Sequence, residues 1–142
     1  MEGTDLEPLA LSIAAKATMK PIREGERRVV NIRTAPYRPI PAPVAGSLSV
    51  LQLDNEQDLG VGFHLYRMAP GTWTEPHEHC CNEQFIVLEG ELVDHDGMVY
   101  RTGDFVWLQA GTEHCSYAPN GCLLAVLVEK PGRSLSTTQA VR

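Results

Sequence analysis

The 142-residue sequence has no apolar run long enough to cross a bilayer. Nor does it open with the basic stretch and apolar core of a secretory signal, since Glu2 and Asp5 stand near the start instead. Positive charge is in short supply: 12 Lys and Arg face 18 Asp and Glu, a formal net charge of -6. That balance argues against nucleic acid or an anionic membrane as a partner. Cysteine is limited to Cys80, Cys81, Cys115 and Cys122, with no repeated CxxC spacing, and the adjacent pair cannot easily bridge. The expectation is reduced thiols in a cytoplasmic protein. Internal repeats and low-complexity tracts are also missing, which excludes a solenoid.

What is there suits one soluble domain. Apolar residues make up 43% and charged residues 21%, an ordinary globular balance, and the length allows a core without staples. Residues 1–26 read as a short helix or flexible arm, with Leu6, Leu9, Ile13 and Ala17 on one face and Lys20-Pro21 ending it. Residues 27–131 carry short β-type runs, beginning with the Val-rich Arg28–Arg33. The stretch 34–46 holds Pro36, Pro39, Pro41 and Pro43, which predicts an ordered strap rather than regular ladder. Asp96-Gly97 and Asn120-Gly121 predict two-residue hairpins, and Pro70-Gly71 and Ala110-Gly111 mark further corners. Many short strands at intervals of roughly 8–12 residues, with no helix between them, indicate an all-β sandwich or barrel. Residues 132–142 read as a polar, frayed tail.

Chemistry concentrates at four residues. His77 and His79 are two apart, which on a strand places both imidazoles on one face. Glu83 follows a turn through Cys80-Cys81-Asn82, and His114 opens a later strand after Gly111. Three neutral imidazoles and a carboxylate suit a divalent transition metal and leave two of six octahedral positions open. Any one of these residues alone would be unremarkable on a protein surface; their joint placement beside glycine turns carries the reading.

These residues resemble a known superfamily. Gly71-x5-His77-x-His79-x3-Glu83-x6-Gly90 matches the first cupin motif at every fixed position, and Gly103-x5-Gln109-x-Gly111-x2-His114 resembles the second. Gln109 and Ala118 depart from the second motif, where the family usually has proline and asparagine, and neither is a ligand position. The resemblance implies a single-domain jelly-roll β-barrel with His77, His79, Glu83 and His114 as metal ligands. Tyr66-Arg67-Met68-Ala69-Pro70-Gly71, Leu88-Glu89-Gly90-Glu91-Leu92 and the Pro-rich lead-in look like the ChrR-type cupin domains and the acetylacetone-dioxygenase-like proteins. The first group includes the zinc-binding module of an anti-sigma factor, and the second cleaves β-diketones with iron and oxygen. The 26 leading residues are too few for the helical bundle of an anti-sigma factor. The diketone-cleaving enzymes are associated with three histidines, whereas Glu83 is kept here, which leaves the reaction open.

Strand alternation sends Phe85 and Val87 inward with the ligands, either as pocket or as plain core, and Ser116 follows His114. His64 and Tyr66, or Arg67 on the opposite face, are candidates for an acid–base or anion-holding group near the metal. His95 is expected in solvent, and Trp73 and Trp107 in core or interface. Cys115 is expected to face away from the metal; Cys81, in the turn, leaves open a His/Cys zinc site. The expected function is an Fe(II) dioxygenase or related oxidoreductase acting on a small carbonyl or enol compound. The alternatives are a lyase or isomerase using Zn(II), Mn(II) or Ni(II), and a non-catalytic zinc-binding sensor or small-ligand-binding module. A homodimer is expected from the resemblance, since cupins commonly pair through an outer sheet face.

Overall fold

The computed structural model describes residue 15, residues 18–41 and residues 45–135. The chain divides into two compact units, Met1–Val30 and Asn31–Arg142. In the first, Thr18 donates to the Ala15 carbonyl through both its amide and its hydroxyl, and Glu26 closes a turn onto Arg23. Of the residues expected to form a helix, Ala15 is helical and residues 18–20 are turn and coil, while the others lie outside the described ones. Val29 and Val30 form no strand and both are exposed. Flanked by Arg27, Arg28 and Arg33, this apolar pair has no alternating face for a sheet to bury.

The second unit is built from short strands with no helix among the described residues. In chain order they are β1 (Arg38–Ile40), β2 (Leu48–Leu51), β3 (Gly62–Met68), β4 (Thr72–Trp73), β5 (His77–Glu78) and β6 (Glu83–Asp94). There follow β7 (Val99–Arg101), β8 (Phe105–Leu108), β9 (Glu113–His114), β10 (Ser116–Ala118), β11 (Cys122–Val128) and β12 (Arg133–Ser134). Nine of them form one curled antiparallel sheet in the order β1-β2-β3-β11-β6-β10-β4, with β7 and β8 also paired to β6. The remaining three make a small sheet, β12-β5-β9. No helix among the described residues is long and apolar enough to cross a membrane.

Several turns differ from the sequence reading. Pro39 sits inside β1, which the edge position of that strand permits because proline needs no ladder hydrogen bond outward. The β6–β7 hairpin has a three-residue loop, His95-Asp96-Gly97: Asp94 pairs with Met98, Gly97 donates to the Asp94 carbonyl, and Gly97 takes φ +90°. Asn120-Gly121 is no hairpin, since β10 pairs with β4 and β6 while β11 pairs with β3 and β6. The turn instead carries the chain across the sheet. Arg133 and Ser134, expected to fray, form β12: Arg133 pairs with Glu78 at 3.0 Å, Ser134 bonds Glu75, and Leu135 donates to the Pro76 carbonyl at 2.8 Å.

Residues alternating inward from β3, β6 and β11 make the core, with Met68, Phe85, Val87, Leu92, Leu124 and Val126 all buried. Along β6 the inward set is Phe85 and Val87 before Gly90, and Leu92 and Asp94 after it. The switch of parity comes from a bulge. Leu123 pairs with Glu89 but Leu124 pairs with Val87, so Leu88 is left as the extra residue.

Candidate metal centre

The small sheet brings the histidines together. His77 on β5 lies directly opposite His114 on β9, and His79 follows β5, its amide bonded to the Thr112 carbonyl at 2.9 Å. The three Nε2 atoms form a nearly equilateral triangle, with 3.1 Å from His77 to His79, 3.0 Å from His79 to His114 and 3.1 Å from His114 to His77. His77 donates its Nδ1–H to the Glu75 carbonyl at 2.7 Å, and His114 donates Nδ1–H to Asp94 Oδ1 at 3.1 Å. Each thereby keeps a bare lone pair on Nε2, and these lone pairs point at one another.

Such a triangle repels itself until something electron-poor lies at its centre. Nitrogens held at about 2.1 Å from an ion and at right angles to each other stand about 3.0 Å apart, whereas tetrahedral ligands stand about 3.4 Å apart. The observed edges fit the former. His79 Nδ1 is buried without a hydrogen-bond partner among the described residues. Burial first, and then the repulsion that protonated rings at His114 and His77 would exert, push its pKa down to about 4, so its imidazole is neutral at physiological pH. His77 is lowered too, first by burial.

Glu83, at the start of β6, places Oε2 3.4 Å from His79 Nε2, but its carboxylate lies outside the tight three-histidine cluster. Burial pushes its pKa up to about 7. A dication beside it would favour the ionised form.

One functional group was missed in the sequence. Asp94, buried at the end of β6, accepts from three donors: His114 Nδ1, Ser116 Oγ at 2.5 Å and Tyr100 Oη at 2.7 Å. Burial opposes its charge, yet the hydrogen bonds from His114, Ser116 and Tyr100 outweigh this and its pKa is lowered. Asp94 thus fixes the tautomer of His114 and the direction of its ring.

Beside the triad lies a cavity of about 180 Å³. His77, His79, His114, Glu83 and Ser116 line it, together with an apolar wall that includes Phe85, Leu92, Leu124 and Val126. His64 and Tyr66 reach it from β3, and Lys130–Gly132 also contribute. Val87 packs in the core and is not among the lining residues. Arg67 is not among them either: it lies on the other face of β3, its guanidinium 3.6 Å from the centre of the Tyr37 ring. His95 is exposed, and Trp73 is partly exposed and stacked on Tyr117 with ring centres 4.4 Å apart.

Residues 25–130 match the sequence profile of the ChrR cupin-like domain. The chain belongs to that family. No curated protein sequence matches this cupin. Solved structures share its fold at low identity. An acetylacetone dioxygenase from Acinetobacter johnsonii is 13% identical, with TM-score 0.63 and 84% of each chain covered. The polyketide cyclase RemF from Streptomyces resistomycificus is 21% identical, with TM-score 0.62, covering 78% of this chain and 86% of its own. The anti-sigma factor ChrR, in complex with SigE of Rhodobacter sphaeroides, is 14% identical with TM-score 0.54, over 84% of this cupin and 76% of that chain.

The four thiols are all free but differ in environment. Cys80 is exposed, whereas Cys122 is buried and burial pushes its pKa up to about 12. With a thiol-specific chromogenic reagent, Cys80 is expected to react at once and Cys122 only after denaturation. Rapid labelling of Cys122 in the native protein would contradict this placement.

Proposed function

We propose that this cupin is a metal-dependent enzyme, an Fe(II) dioxygenase or related oxidoreductase acting on a small enolisable carbonyl compound of the β-diketone class. The observation that carries the reading is the convergence of three Nε2 atoms within 3.0–3.1 Å beside a largely apolar cavity of about 180 Å³. His77, His79 and His114 would hold the ion, with Glu83 as a fourth ligand. The bound ion would supply Lewis acidity toward carbonyl or enolate oxygens and, as iron, reactivity with oxygen. The chain does the rest. Asp94 and the Glu75 carbonyl hold two imidazoles in the ligating tautomer, while Phe85, Leu124 and Val126 enclose the apolar body of the substrate and exclude water.

The test is elemental analysis of protein purified without added metal under anaerobic conditions, beside a His114→Ala variant. Near-stoichiometric iron in the wild type, lost in the variant, with oxygen uptake on pentane-2,4-dione, is the expected result. Stoichiometric zinc without uptake would move the reading to a lyase, an isomerase, or a zinc-binding sensor of small ligands, the role favoured by the ChrR-type family match. No metal in either protein after reconstitution would overturn it.

The free thiols suit a reducing cytoplasmic setting. A homodimer fits the outer face of the large sheet. There, Phe63, Leu127, Gln84 and Trp107 lie in one cross-strand row, and Leu65, Ala125, Ile86 and Phe105 lie in the next. Phe63, Phe105 and Trp107 are more than half exposed in one copy, and a two-fold pairing would cover them. The double variant Phe105→Lys, Trp107→Lys is expected to run as a monomer by light scattering with an unchanged circular dichroism spectrum; a dimeric variant would place the interface elsewhere.

A further inference from the structure

His64 is only 3% exposed, yet its ring is half unused. Its Nδ1–H donates to the Gly62 carbonyl of its own strand at 3.1 Å, which leaves Nε2 as an acceptor with no partner among the described residues. The Tyr66 hydroxyl, on the same face of β3, likewise has no partner among the described residues. The two rings meet edge-on with centres 6.3 Å apart, and both line the cavity beside the histidine triad. Across β11 their neighbours on the ladder are hydrocarbon, Val126 beside His64 and Leu124 beside Tyr66. A leucine at position 64 would fill this wall with hydrocarbon, so the packing alone does not call for an imidazole facing the cavity.

We propose that His64 and Tyr66 form a hydrogen-bonding subsite of this cavity, in which a hydroxyl or enol group of a small ligand donates to His64 Nε2 while an oxygen of the ligand accepts from Tyr66 Oη. The inference rests on the reading of the cavity as a ligand pocket and adds what that pocket selects. Burial lowers the pKa of His64 and so keeps its ring neutral and able to accept. Burial also raises the pKa of Tyr66, whose hydroxyl therefore keeps its proton to donate. A ligand suited to the subsite has an apolar body and an oxygen that carries a proton. A diketone blocked from forming its enol lacks that proton.

The test uses the full chain reconstituted with zinc, so that no oxygen chemistry intervenes. Calorimetry would compare pentane-2,4-dione, which forms a conjugated enol through its central carbon, with 3,3-dimethylpentane-2,4-dione, which has no hydrogen on that carbon and cannot form it. In His64→Leu, binding of the first is expected to weaken about 3- to 10-fold while the second changes less than about twofold. His64→Gln, which keeps an acceptor, is expected to retain most of the affinity. Zinc content measured on each variant verifies that the triad is intact. Equal losses for both diones, no loss in His64→Leu, or a wild type that binds neither dione would overturn the subsite. Oxygen uptake by the iron-loaded wild type is a separate readout. Binding that depends on His64 without uptake would remove the enzyme reading and leave the subsite standing.

Discussion

Replacing Asp94 by asparagine is expected to lower affinity for a divalent ion by about 10- to 100-fold while the fold survives. An asparagine carbonyl can still accept from His114 Nδ1, but it brings no negative charge to strengthen the imidazole as a ligand. Its amide nitrogen must also sit where the other carboxylate oxygen, Oδ2, accepts from Tyr100. Asp94→Leu is a harsher change. It leaves His114 Nδ1, Ser116 Oγ and Tyr100 Oη without the acceptor they share, each at about 1–3 kcal/mol, which in sum approaches the whole stability of a domain this size. Zinc competition titrations on the asparagine variant, with thermal melts of both, separate the two effects. An Asp94→Asn protein with wild-type affinity would show that the carboxylate only fills space.

The second large effect is expected at Gly90. It takes φ +77° in the middle of β6, and a Cβ built there collides with the Gly121 carbonyl oxygen and stands 3.1 Å from Cys122 Cα. Backbone on both sides leaves nothing flexible to move aside. Gly90→Ala is therefore expected to destabilise the protein by about 3 kcal/mol or more, from backbone strain and overpacking together. For a chain of this length that lowers the midpoint of thermal unfolding by about 10 °C or more. A melt within about 2 °C of wild type would mean that β6 and the Gly121 turn can part without loss.

The same glycine explains where reading the sequence succeeded and where it stopped. His77, His79 and His114 could be found by spacing, because each sits at a strand or turn whose punctuation, Gly71, Gly103 and Gly111, lies close by in the chain. Phe85 was reachable by counting in twos from Glu83. Asp94 was not, since the same count carried on through β6 sends it outward. The bulge at Leu88 and the bend at Gly90 reverse the parity, and a glycine between two apolar runs does not reveal by itself which way it reverses. β12 was hidden for another reason. Arg133 and Ser134 have no hydrophobic pattern, and what orders them is pairing with Glu78 and Glu75, carboxylates that a local reading cannot bring near. The other two-residue strands of the small sheet, β5 and β9, are likewise too short to leave any periodicity, and only the histidines they carry gave them away.

Those short strands give the triad a mechanical meaning. β5, β9 and β12 hold two residues each, and the contacts that join them span long stretches of chain, 37 residues between His77 and His114 and 55 between Glu78 and Arg133. Closing loops of that length early in folding is unfavourable, so this end of the molecule should be the last to take shape and the first to open. An ion gripped by all three imidazoles would be a rivet through sequence-distant pieces that little else fastens, adding about 2.7 kcal/mol when it is present at a hundred times its dissociation constant. Ion occupancy and the integrity of the pocket mouth would then rise and fall together, which makes metal supply a control on whether the cavity exists as well as on what happens inside it.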